Sequence, residues 1–213
     1  MNTRLRLIVI VFGALFVLAT YTFPFWQPFL MIEPVEQGFP GLPENLQASF
    51  QTLPTDQRAT FLTMAEDNQE MALGMLIAAL SAPVEVPLEQ QSLPEMDGPV
   101  VVATGSFTRI DPIRWADGRV TIYQLADNRK IMRFEGFTSA NGPDLRVVLS
   151  ANPEPRTRAE VEEDDANINL GRLLGNFGSQ NYEIPPEIDI AQYGSVVIYS
   201  QSFDTVFSTA ELS

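Results

Sequence analysis

The 213 residues suffice for one domain of ordinary size plus additional segments. The chain has no Cys and no His, which removes disulfides, thiolate nucleophiles, Cys-ligated metals and both Ser-His-Asp and Cys-His catalysis. Asp and Glu number 27 against 13 Lys and Arg, and after Arg4 and Arg6 the balance is 11 basic to 27 acidic residues, a formal charge of −16 that repels phosphate backbones and argues against nucleic-acid binding.

Residues 1–30 read as a transmembrane signal-anchor. Leu7 to Phe25 is almost wholly apolar, and no charge occurs between Arg6 and Glu33. A bilayer core takes roughly 20 helical residues. Arg4 and Arg6 would hold the N-terminus in the cytoplasm, Tyr21 and Trp26 suit the opposite interface, and Pro24 and Pro28 are expected to end the helix. The rival reading is a signal peptide cleaved near Val17-Leu18-Ala19. Under either, the acidic bulk of the chain is expected outside the cytoplasm, in the anchored case as a single-pass membrane protein.

Residues 31–81 carry a short helical segment. Leu42-Pro43, Ala48, Phe50 and Thr52 recur eleven residues later as Leu53-Pro54, Ala59, Phe61 and Thr63. Each copy fits a short helix, with Pro43 in a first turn and Thr55 as a cap. Leu46 and Phe50 share a face, as do Phe61 and Ala65. A third helix is expected from an Asn68 cap to Leu80. Such a unit is too small to be stable alone and needs a surface to pack on, either as a helical spacer or as a partner-binding hairpin. Residues 82–99, with Pro83, Pro87, Pro94 and Pro99, read as an extended linker at a domain boundary.

From Val100 strand signals follow one another. They cover Val100–Ala103 running into Phe107, Arg119–Leu125, Lys130–Phe134, Leu145–Leu149, Ile168–Gly171, Asn181–Pro185, Ser195–Ser200 and Thr205–Ser208. Asp127-Asn128 makes a hairpin turn. Asn152 to Asp165 is expected as a polar surface loop. About eight short strands indicate a mainly β fold, an antiparallel β-sandwich or barrel over 100–213. Asn141-Gly142-Pro143-Asp144 is a turn with a reason for each residue: Asn141 and Gly142 tolerate positive φ, Pro143 fixes its own, and Asp144 can cap nearby N–H groups.

Gly105-Ser106-Phe107, Asn141-Gly142-Pro143-Asp144-Leu145, Leu170-Gly171-x-Leu173, Gly178-x-Gln180-Asn181-Tyr182-x-Ile184-Pro185, Tyr193-x-Ser195-Val196-Val197-Ile198 and Phe203-x3-Phe207-x2-Ala210-x-Leu212 occur in this order. Together they resemble the Skeletor-type, or DM-thirteen, domain over about Val100 to Ser213. The resemblance implies a small β-domain, often extracytoplasmic, with a proposed role in electron transfer that leans on a cysteine near the C-terminus. Ser200 stands where that thiol would be, and the His that the family often carries upstream of its second strand has no counterpart between Asp111 and Gly118.

Among candidate chemical groups, Asp144 either caps its turn or contributes to a calcium site. Glu160, Glu162, Glu163, Asp164 and Asp165 form a solvated acidic loop without EF-hand spacing. The glycine-bearing run Gly171–Gly178 lacks a Lys and a following helix and is read as turns. Tyr182, Tyr193, Tyr199 and Trp115 could carry electrons or meet a planar ligand, although core packing is the commoner use. The expectation is a membrane-anchored, non-catalytic binding or accessory module. It has no cofactor or metal, a protein or small-molecule partner, and binding residues among Asn141, Asp144, Tyr182 and Ser200. The alternative is an electron-transfer accessory domain.

Overall fold

A computed structural model describes residues 3–30, 38–162 and 167–213, with the side chains of 10–23 and 25 in the first of these stretches. The chain divides into two compact units, Met1–Gly38 and Phe39–Ser213. The first contains helix α1, Thr3–Leu30. Contrary to expectation, Pro24 and Pro28 do not end it. Each proline removes one N–H from the helical ladder without forcing a stop. Among the described residues no helix is long and apolar enough to cross a membrane. The span expected over 7–25 falls partly on side chains outside those described, at 7–9 and 24.

The second unit begins with three short helices, α2 (Glu44–Thr52), α3 (Thr55–Asp67) and α4 (Gln69–Ala79). The eleven-residue echo is visible in space, for Phe50 and Phe61 occupy the same place in each copy and both are buried. The caps follow the prolines. Pro43 and Pro54 are the N-cap residues of α2 and α3, so Thr55 lies inside its helix and does not cap it, whereas Asn68 Oδ1 accepts from Met71 N at 3.0 Å as expected. A short helical turn, α5 (Leu88–Gln91), follows.

Eight strands come next: β1 (Val100–Arg109), β2 (Ala116–Gln124), β3 (Lys130–Ser139), β4 (Leu145–Ser150), β5 (Asn167–Arg172), β6 (Gln180–Ile184), β7 (Ser195–Ser200) and β8 (Thr205–Glu211). They form one sheet in the order β5-β4-β7-β8-β1-β2-β3-β6, and every pair is antiparallel. The sheet curls into a nearly closed barrel. Across the remaining gap between β5 and β6, Leu174 N donates to Gln180 Oε1 at 3.0 Å and to Tyr182 OH at 3.2 Å. Alternation along the strands sends Val120, Ile122, Phe134, Val147, Leu149, Val196 and Ile198 into the interior. Phe107, Phe134, Phe137 and Tyr182 fill part of it, with ring centroids 5.0–5.3 Å apart. Between Ile198 and Tyr199 the β7–β8 register shifts, Phe207 is the extra residue, and its buried ring joins the interior.

β4 and β7 are buried on both faces. Val148, Val197, Tyr199 and Val206 form a second cluster outside the barrel, with Val161 on top. This modifies the expectation of a solvated loop over 152–165. Thr157 and Glu160 form a capping box that starts a helical turn, α6 (Arg158–Val161), and Val161 is buried. Glu163, Asp164 and Asp165 of the acidic run lie outside the described residues.

The odd-to-even strand connections gather at one end of the barrel, and the helices pack there. Gln57 Nε2 donates to Pro112 O at 3.3 Å, and Asn141 Nδ2 to Ser81 O at 3.3 Å. Phe203, in the β7–β8 turn, covers Gly74 of α4 so closely that a Cβ there would lie 2.5 Å from Phe203 Cζ. Phe50, Phe61, Met75 and Leu76 thereby join the hydrophobic cluster of the barrel itself. Gly74→Ala is expected to push the half-exposed Phe203 ring outward and loosen the helices at a cost of about 1 kcal/mol. Faster amide exchange over 44–80, with the strands unchanged, is the measurement that checks it.

Residues 82–99 are tied along the barrel, extended except for the helical turn α5, which interrupts the extended linker expected there. Val84 N donates to Asn176 Oδ1 at 3.1 Å, Asn176 N to Val84 O at 2.7 Å and Val86 N to Phe177 O at 3.0 Å. Val86 is fully buried. Further on, Asn181 Nδ2 donates to Gln90 O and Ser92 O, and Arg133 Nη1 to Gln91 O. This strap covers β6, a strand that would otherwise present an open edge.

Candidate functional site

The turn Asn141–Asp144 joins β3 to β4. Its one positive φ falls on Asp144, at 44°, and not on Asn141 or Gly142. Asp is among the few residues that tolerate this region. Gly142 is required for space, since a Cβ would lie 2.3 Å from Phe207 Cζ. Ser200, fully buried, donates from Oγ to Pro143 O at 2.7 Å, and Gln201 N donates to Asp144 O at 3.1 Å. The end of β7 therefore pins the turn from behind.

The Asp144 carboxylate does not cap its turn. It accepts from Arg146 Nε at 3.0 Å and Arg146 Nη2 at 3.2 Å, and Arg172 Nε lies 3.4 Å from the same Oδ1. Two guanidinium groups around one carboxylate make a poor cation site, so Asp144 is not arranged for calcium. Among the described residues no group of three acidic side chains could hold a metal. Glu160 is engaged elsewhere: the backbone N–H groups of Arg156 and then Thr157 hold its carboxyl below the usual carboxylate range.

In front of the turn lies a cleft of about 300 Å³. One wall is the turn, with Asn141 and Asp144. The second is the β5–β6 connection from Arg172 to Asn176, and the third is Val84 of the strap. The walls are joined from within. Asn176 is buried and donates to Ala140 O at 3.3 Å and Ser139 Oγ at 3.4 Å while binding Val84 on its other side. Gly175 has to be glycine, because a Cβ would lie 2.7 Å from Val86 N.

Tyr182 does not line the cleft. It is buried behind the β5–β6 connection, where its OH donates to Gln180 Oε1 at 2.6 Å and accepts from Leu174 N. Gln180, fully buried, also donates from Nε2 to Gly175 O at 3.2 Å. Of the four residues singled out in the sequence, the fold thus brings Asn141 and Asp144 to the cleft wall, Ser200 behind their turn and Tyr182 behind the opposite wall. Arg146, Arg172, Asn176 and Gln180 escaped sequence reasoning. A charged residue two positions after Asp144 on a strand was the available sign for Arg146.

Burial pushes the Tyr182 phenol well above its usual 10, opposed only by the Leu174 N–H. Burial, then the bond to Asp204, does the same for Tyr199. In the unfolded chain these phenols ionise near pH 10, while in the folded chain they stay neutral to higher pH. Their contribution to stability is therefore complete below pH 10 and is lost as the pH climbs from there toward the folded values. Tyr182→Phe is expected to shallow this alkaline decline without abolishing it, because Tyr199 remains. Urea midpoints measured between about pH 8 and 11 would show it.

Residues 107–212 match the family model described as electron transfer DM13. No curated protein and no solved structure matches the chain. The match begins at Phe107 in β1 and ends at Leu212, just past β8, so it takes in the cleft turn, α6, the β5–β6 connection and the Ser200 strand while leaving helices α1 to α5 and the strap outside. The barrel carries a DM13 domain over residues 107–212.

Proposed function

We propose that this is a membrane-anchored, extracytoplasmic DM13 protein whose barrel works as a non-catalytic binding or accessory module. The observation that carries the binding reading is the cleft, a pre-formed concavity whose walls are fixed by buried hydrogen bonds at Asn176, Gln180 and Ser200. It offers guanidinium, carboxylate and amide groups beside leucine side chains, the mixture that orients a small ligand. The anchor reading is supported by α1. Ile10, Phe12, Leu15, Phe16, Val17 and Tyr21 point around the helix and are all exposed, and a helix apolar on every side calls for lipid or a protein interior. Arg4 and Arg6 at its start favour a cytoplasmic N-terminus.

The test uses the full chain expressed in cells. Retention of the protein in alkaline-washed membranes, with the barrel cut by protease added from outside, is the expected result. Recovery in the soluble fraction would overturn the anchor, and substrate turnover by the purified chain would overturn the non-catalytic reading. Electron transfer is the second reading, favoured by the family description. The chain has no thiol, so that role would fall to a bound cofactor or to aromatic side chains. A reversible voltammetric wave from the purified chain would establish it.

A further inference from the structure

We propose that the cleft takes a small organic carboxylate and that Arg172 binds its carboxylate group. The proposal rests on the binding reading above and names the ligand class. Its starting point is a cross-strand arrangement that folding alone does not favour. In the β4–β5 ladder Arg146 stands directly opposite Arg172. Like charges in that position repel. One carboxylate, Asp144, lies between them and leaves the trio one positive charge in excess, on a chain whose formal net charge is −14.

The two arginines are not equivalent. Arg146 is mostly covered and gives Asp144 two hydrogen bonds, so it is fixed. Arg172 has 74% of its side chain exposed and approaches Asp144 only through Nε, at 3.4 Å. Its Nη1 and Nη2 have no hydrogen-bond partner among the described residues, and a guanidinium held by one edge presents those donors in the planar fork that matches a carboxylate. Leu145, Leu173, Leu174 and Val84 give the rest of the cleft an apolar lining. At about 300 Å³ the space lies at the small end of ligand pockets. A short branched acid meets both demands, with its carboxylate on Arg172 and its alkyl end against the leucines.

The experiment titrates 4-methylpentanoate into the full chain in detergent micelles and follows amide and arginine side-chain NMR signals. Saturable shifts at Arg172, Asn141 and Leu174 are expected, with 4-methylpentanol binding at least tenfold more weakly. Arg172→Gln should weaken binding of the acid at least tenfold with unchanged circular dichroism, Arg172→Lys should weaken it less, and Arg119→Gln, an exposed arginine elsewhere, should leave it unchanged. Equal binding of acid and alcohol, or acid binding that survives Arg172→Gln, would overturn the carboxylate proposal and leave the cleft as a binding site of another kind. Failure of both compounds to shift any cleft residue would overturn the proposal and remove the cleft from the binding reading as well.

Discussion

Gly142→Ala is expected to lower the stability of the barrel by about 3 kcal/mol, near the upper end of the usual cost of overpacking. The added Cβ would meet Phe207 at 2.3 Å from Cζ and 2.6 Å from Cε1, and the Leu145 Cδ2 atom at 3.1 Å. A ring at the surface would swing aside. Phe207 is fully buried and sits at the bulge that sets the β7–β8 register, so the clash has to move backbone or break the turn. For a chain of this size the loss corresponds to a fall in Tm of about 6–12 °C. Phe207→Leu is the informative partner. Alone it costs stability by leaving space in the interior, but in the Gly142→Ala background that space receives the new methyl. The two changes should be non-additive by about 1–2 kcal/mol. Thermal unfolding of the two single variants and the double variant measures the coupling, and simple additivity would show that the turn relaxes without involving Phe207.

That pair also illustrates what the sequence disclosed. Asn141-Gly142-Pro143-Asp144 declared itself as a turn through its composition, and the glycine as a residue with a special reason. The reason itself was a contact with a residue 65 positions away, which no local signal carries. The eight strands were legible because alternation and turn residues are local properties, as the hairpin at Asp127-Asn128 shows, with Asn128 at φ 68°. The three helices were legible for the same reason. Residues 82–99 were harder. Proline content predicts extension, which holds on either side of the helical turn α5, but the burial of Val86 and the ladder with Asn176 and Phe177 depend on where the β5–β6 connection passes. The opposition of Arg146 and Arg172 was hidden in a further way. It depends on the register shift between Val147 and Val148, and one residue of slip would have parted the two side chains. Thr55 and Pro54 show the limit within a helix, where two adjacent residues both suit a first turn and packing decides which of them is the cap.

Ser200 carries the second large effect and bears most directly on the choice between binding and electron transfer. Ser200→Ala removes the donor to Pro143 O and leaves that carbonyl facing a methyl group. A cost of about 2 kcal/mol is expected, since a polar group deprived of its partner loses more than the net value of the bond. Ser200→Cys should cost somewhat less, because a thiol is a weak donor that nevertheless fills the same position. The cysteine variant would also give the chain its one thiol, at the place where the DM13 resemblance expects one. Ser200 is fully buried, between the Asn141–Asp144 turn and the interior. A thiol there is expected to be inert toward a soluble disulfide reagent in the native state and to react only on unfolding, because reactivity needs an exposed thiolate and burial disfavours the charge. Labelling kinetics measured with and without denaturant separate the two cases. Slow labelling, at a rate that tracks unfolding, together with no reversible voltammetric wave, would mean that this barrel does not transfer electrons merely by regaining the cysteine. Fast labelling of the folded protein with a reversible wave would mean that the position is poised for redox chemistry and that Ser200 alone keeps this chain from it.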